Sequence, residues 1–246
     1  MKLLRRALTL PRDGRPWRVE LSWGMTAAGI MAAVYALLTV VFSVIPFPFR
    51  LHGKLPHPLA LDGAACVMML GAMLAMLYFL PERGRLADKL GLAPINRRDL
   101  RIALVGLAAA YTWEFSITPL WEMLLRALNI TWKENQNLLE LCASGSWRRF
   151  AVLLVLTGIL TPVMEEILFR RLLYALLRPL GVAAAVAAGA VIFAAAHLFL
   201  HGLPALAGIG AAFQWVYLRS GNLAAAMLAH TIFNLIALAV AFFIGV

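Results

Sequence analysis

Three groups of polar residues lie inside strongly apolar stretches of this chain, and their residue types are those of hydrolytic chemistry. The first reads Thr161-Pro162-Val163-Met164-Glu165-Glu166-Ile167-Leu168-Phe169-Arg170. A charged residue at the centre of a membrane helix costs at least about 2.5–3.5 kcal/mol for Asp, Lys or Arg, so each one needs a reason. On a helix Glu166 and Arg170 are four apart on one face and can pair, whereas Glu165 is turned about 100° away from that partner. One carboxylate is then structural, and the other is free to act as a general base. The second group is Phe193-Ala194-Ala195-Ala196-His197, and the third is His230-Thr231-Ile232-Phe233-Asn234, whose four-residue spacing sets an imidazole and an amide on one helix face. An imidazole and an amide can both donate to the oxyanion that forms when water attacks a peptide carbonyl.

These groups meet only if the helices that carry them are packed in the right register. A turn at Pro179-Leu180-Gly181 puts Glu165 about 15 residues before it and His197 about 16 after it, which are similar depths in an antiparallel hairpin. The small residues before His197 allow a neighbouring backbone to come close. Apolar runs long enough to cross about 30 Å of hydrocarbon are expected at 24–46, 60–80, 102–120, 151–177, 182–200, 203–219 and 222–245. The expected fold is therefore all-α, a polytopic transmembrane bundle of about seven helices. It divides into residues 1–149, an N-terminal arm, three spans and an amphipathic linker, and residues 150–246, a catalytic region of four spans.

Composition supports that class. The 246 residues are 63% hydrophobic and 14% charged, far from the balance of a soluble domain. Helices satisfy every backbone polar group within one segment, and no alternating strand pattern that could build a barrel is present. The net charge of +10 sits in the N-terminal arm and the short links, which marks topology and excludes a nucleic-acid partner. Lys2, Arg5, Arg6, Arg12, Arg15 and Arg18 in the arm, with Arg83, Arg85, Lys89, Arg97, Arg98 and Arg101 in the 81–101 link, place both in the cytoplasm and the C-terminus outside. The basic N-terminus precedes a full-length span with no clear cleavage site and reads as a retained arm. Segment 121–149, polar and amphipathic, reads as a surface-lying helix followed by a loop ending at Ser144-Gly145-Ser146. Cys66 and Cys142 have neither disulfide nor metal spacing.

Together the three groups resemble the three motifs of the CPBP family, which includes the type II CAAX prenyl endopeptidases and the bacterial Abi-type proteins. The resemblance covers roughly residues 150–240, with Glu165-Glu166-x-x-x-Arg170, Phe193-x-x-x-His197 and His230-x-x-x-Asn234 all intact. It implies a glutamic-type membrane endopeptidase in which Glu165 and His197 activate water and His230 and Asn234 stabilise the oxyanion. Glu166, Arg170 and Phe193 support them. The implied partners are the lipid bilayer and a membrane protein or lipidated peptide as substrate, and the implied location is a bacterial or archaeal plasma membrane.

Other readings compete. A non-catalytic immunity or assembly protein could keep the polar groups for packing, and a proton-coupled transporter could use them as a relay, although transporters show repeated halves that this chain lacks. Glu165, His197 and His230 could also be three ligands to a catalytic zinc. A metal-free, cofactor-free site is expected instead, because Asn234 has a task as an oxyanion donor and none as a usual zinc ligand. Glu114 lies inside the third span, as a cavity lining or a packing contact. His201, four residues after His197, reads as a solvated helix end, Asp62, His52 and His57 as interfacial, and Trp17, Trp23, Trp121, Trp132 and Trp147 as interface anchors. Trp113 and Trp215 receive no role.

Overall fold

The computed structural model describes residues 90–131, 146–197 and 200–244, together with residues 71 and 87. The expected spans at 24–46 and, apart from residue 71, at 60–80 lie outside these, as do the basic arm, most of the 81–101 link, Asp62, His52, His57, both cysteines, Trp17, Trp23 and Trp132. Every element among the described residues is helical.

Helix α1 spans Arg97–Ala127. It begins there because Asn96 caps it: the Asn96 side chain accepts from Arg98 N at 2.9 Å and Asp99 N at 3.0 Å, while Asp99 takes the Asn96 N–H at 3.3 Å. At 31 residues it is about 46 Å long, more than the hydrocarbon core requires. Residues 121–127, expected as the start of a separate surface helix, continue α1 instead. Leu125 extends the buried stripe of Ala103, Gly106 and Ala110, so this last part keeps the same inward face. Residues 132–145 of that segment lie outside the described ones.

Helix α2, residues 147–180, is one rod of alternating winding. It runs from α-helical Trp147–Val155 into π-helical Leu156–Leu160, α-helical Thr161–Glu165, π-helical Glu166–Leu173 and α-helical Tyr174–Leu177, ending in a 3₁₀ turn at Arg178–Leu180. The first π segment closes with the Thr161 N–H on the Leu156 carbonyl. The next bond in that pattern would come from residue 162, and Pro162 has no N–H to give. Thr157 is thereby left with a free carbonyl. Gly158 brings α2 against the last helix, where a Cβ would meet Leu235 Cδ2 at 2.6 Å.

Gly181, at φ 95°, turns the chain into α3, Val182–Ala196. Helices α4, Leu203–Ser220, and α5, Leu223–Ile244, follow, joined at Gly221 in the left-handed region. Helix α4 is central, packed on α1, α3 and α5, while α5 also packs on α1 and α2. Their common core contains Ala103, Ala110, Ile167, Phe213, Val216, Ala225 and Ala226, and a smaller cluster joins Phe150, Leu153 and Leu238. A buried polar knot fixes the other end of α1. Asn222 donates to Ala93 O at 3.0 Å and Asp99 at 3.2 Å, and accepts from Ala93 N at 3.1 Å.

Three of these helices are long and apolar enough to cross a membrane: Arg97–Ala127, Phe150–Leu180 and Leu223–Ile244. The described part of the chain is that of an all-helical membrane protein, with three clear spans. Helix α3 stops four residues before the expected end at 200 and, with 15 residues, reaches only about 22 Å. It stops because the His197 ring folds back onto the Phe193 carbonyl and Gly202 and Pro204 restart the chain as α4.

Candidate active site

Glu165 and Glu166 are adjacent on α2 and face different surroundings. The Glu166 side chain is fully buried, and its Oε2 accepts from Arg170 Nε at 3.1 Å, one turn along. Its Oε1 accepts from His230 Nδ1 on α5 at 2.9 Å. Glu166 therefore binds two helices together at one carboxylate, with one donor on each oxygen. The Arg170 guanidinium, also buried, lies 4.9 Å over the ring of Phe193. Phe193 in turn sets its edge against His197, with centroids 4.8 Å apart, and against His230 at 6.1 Å. The supporting trio of Glu166, Arg170 and Phe193 thus forms a floor beneath the two imidazoles, and Phe213 of α4 stacks on His230 from the other side at 4.7 Å.

Glu165 is turned out of that floor. Its side chain is 16% exposed, its Oε1 stands 3.9 Å from His197 Nε2, and its Oε2 stands 3.7 Å from His230 Nε2. Both distances exceed a direct hydrogen bond and suit groups bridged by one water. The ring orientations follow from the opposite nitrogens. His197 Nδ1 is 2.8 Å from Phe193 O, a carbonyl that can only accept, so Nδ1 donates and Nε2 is the nitrogen that faces Glu165. His230 is fixed the same way by the Glu166 carboxylate on its Nδ1.

Asn234 lies one turn beyond His230 on α5 and is not against Glu165. Its Nδ2 donates to Thr157 O at 2.9 Å, the carbonyl that Pro162 leaves free in α2. One amide proton is thereby used and the second is available. Next to it, Tyr111 of α1 stacks on Phe233 at 4.5 Å and donates from its hydroxyl to Phe233 O at 3.0 Å. Glu114, half-buried one turn along the same face of α1, lies within electrostatic reach of Tyr111.

The structure thus brings together Glu165, His197 and His230 at one point, with Glu166, Arg170 and Phe193 beneath, and attaches Asn234 to α2. Sequence reading gave Glu166 to Arg170 alone, whereas the carboxylate serves His230 as well. It missed Thr157, Tyr111 and Phe213. Only Thr157 had a local signal, the proline five residues later. His201, expected to be solvated, instead meets Glu122 at 2.8 Å.

Fold and site define a helical membrane protein with a carboxylate and two imidazoles converging where α2, α3 and α5 meet. The family described as type II CAAX prenyl endopeptidase Rce1-like matches residues 147–236, which run from the start of α2 into α5. Over these residues the chain is similar to that CAAX protease-like family. No curated protein and no solved structure matches it.

Proposed function

We propose that the protein is an intramembrane endopeptidase that hydrolyses a peptide bond of a membrane-associated or lipid-anchored protein or peptide. The observation that carries this reading is the pair of Glu165 oxygens standing 3.9 and 3.7 Å from two Nε2 atoms, the spacing of groups that share a water. A water held between Glu165 and His197 gives up a proton to Glu165 as its oxygen bonds to the scissile carbonyl carbon. The carbonyl oxygen becomes an oxyanion, which takes a hydrogen bond from the remaining Asn234 amide proton and from Nε2 of His230, whose Nδ1 stays on Glu166. Glu165 then gives the proton to the amide nitrogen, the C–N bond breaks, and a carboxylic acid and an amine leave, which settle as a carboxylate and an ammonium once the acid's proton passes to the amine. In this reading Glu166, Arg170 and Phe193 orient the rings without touching the substrate. The family match supports a prenylated or otherwise lipid-anchored substrate. Positive charge in the arm and the 81–101 link supports a cytoplasmic N-terminus.

A zinc-dependent form of the same hydrolysis has one observation in its favour: both imidazoles keep Nδ1 occupied and present Nε2, as metal-bound histidines do. Glu165, His197 and His230 would be the ligands, and the ion would supply a polarised water. The metal-free mechanism is the one we propose, because Asn234 has a task as an oxyanion donor and none as a usual zinc ligand. Purified protein in liposomes, given a fluorogenic farnesylated CAAX peptide, tests the assignment of Glu165: cleavage by the wild type and none by Glu165→Gln is expected, and equal cleavage by both would overturn it.

A further inference from the structure

Helix α3 ends at His197 after only about 22 Å, so the link that carries the chain on to α4 begins below the far surface of the hydrocarbon core. Irregular backbone at that depth persists only where protein covers it and satisfies its polar groups. The second half of α1 contacts the described residues beyond the end of α3 and the first turn of α4. Trp113 Nε1 donates to Pro204 O at 2.9 Å, Trp121 Nε1 donates to Leu200 O at 3.1 Å, and His201 Nε2 donates to Glu122 Oε1 at 2.8 Å. The first contact is seated closely, because α4 has Gly208 beneath the Trp113 indole, where any Cβ would collide with the ring. Glu122 is further held by Arg126 at 3.4 Å, one turn along α1. Three side chains of one helix thus hold Leu200, His201 and Pro204, three to seven residues after His197, and His197 in turn reaches Glu165.

We infer that Trp113, Trp121 and Glu122 form a clasp that positions His197, with Glu122–His201 as its polar bolt. These are positioning residues, since none touches Glu165, His230 or Asn234. The inference deepens the proposed protease reading by making α1, outside the family-matched stretch, part of the machinery that aligns the base. It also predicts how the clasp fails. The Glu122–His201 pair is partly exposed, and such pairs contribute little to global stability. Loosening the bolt therefore leaves the bundle folded and frees the link, so His197 moves relative to Glu165. Displacement by about an ångström can cost on the order of a hundredfold in rate without a matching loss of binding.

The test uses full-length protein in detergent and liposomes, as wild type, Glu122→Gln, His201→Gln, Trp121→Phe and the exchange Glu122→His/His201→Glu. Two readouts are taken: the rate at which diethyl pyrocarbonate modifies His197, followed by peptide mass spectrometry, and kcat and KM on the farnesylated CAAX reporter. The single variants are expected to change His197 modification severalfold with an unaltered melting temperature, to lower kcat by about tenfold or more, and to leave KM within about twofold. The exchange restores both His197 reactivity and kcat. Unchanged His197 reactivity in all three single variants would overturn the clasp, as would changes that track a lowered melting temperature and are not recovered by the exchange. The reactivity arm needs no substrate, so a wild type inactive on the reporter would count against the protease reading while the clasp is still decided.

Discussion

Replacing Arg170 by methionine removes one partner of a carboxylate that has no water to turn to. The Glu166 side chain is 0% exposed and Arg170 1%. Breaking a buried pair by removing one member costs about 3–5 kcal/mol, because the remaining charge is left uncompensated. Here His230 stays on Glu166 Oε1, which reduces that cost, while loss of the guanidinium over Phe193 adds about 0.5–2 kcal/mol. The net expectation for Arg170→Met is a loss of about 3–5 kcal/mol, against a smaller loss for Glu166→Gln/Arg170→Met, in which the orphaned charge has been removed. The ordering is the informative part: the double variant should be more stable than Arg170→Met alone by about 1 kcal/mol or more. Reversible unfolding of the purified protein in mixed micelles, read by tryptophan fluorescence for the wild type, both single variants and the double, measures all four corners of the cycle. A double variant as destabilised as the sum of its parts would refute the view that Glu166 and Arg170 are a mutually dependent buried pair.

Asn234→Ala is expected to lower kcat by about 10²–10³ with little change in KM, as removal of an oxyanion donor does. Pro162→Ala should produce a weaker version of the same defect, because an added N–H competes with the Asn234 amide for Thr157 O; a wild-type kcat in purified Pro162→Ala would break that link. A single cysteine placed after Val246, in a protein with Cys66 and Cys142 replaced, should be labelled by an impermeant maleimide only from outside the cell, and labelling only after cytoplasmic access would reverse the proposed orientation. Exhaustive chelation, with metal content measured alongside, should leave activity on the reporter intact. Loss of activity that stoichiometric zinc restores would recast Glu165, His197 and His230 as ligands.

Helix-local features were readable from the chain and long-range ones were not. The Glu166–Arg170 pair follows from a four-residue spacing, and it is present at 3.1 Å. The similar depths of Glu165 and His197 follow from counting residues either side of Gly181, and the two side chains do come within 3.9 Å. The second partner of Glu166 was invisible because His230 is 64 residues away and nothing in either segment specifies the rotation of α5 about its axis. The winding of α2 was equally hidden. A proline announces a missing N–H, but whether the carbonyl it frees lies four or five residues back depends on a π turn that no residue pattern here dictates. Residues 121–127 read as the start of a separate surface-lying helix, yet Leu125 keeps the buried stripe of α1 going, so packing decided what local polarity could not. Trp113 had no reading in the chain. Its indole N–H donates to a carbonyl 91 residues later, in the first turn of α4, a pairing that no local pattern announces.

The most direct measurement of the central claim compares membrane fractions from the native host carrying wild-type protein or Glu165→Gln at equal abundance, with new N- and C-termini mapped by quantitative mass spectrometry. The expected result is at least one membrane-associated precursor that accumulates uncut in Glu165→Gln and is processed when the wild type is restored. Identical termini in the two fractions, with the wild-type protein expressed and folded, would contradict the assignment of this chain as an endopeptidase acting through Glu165.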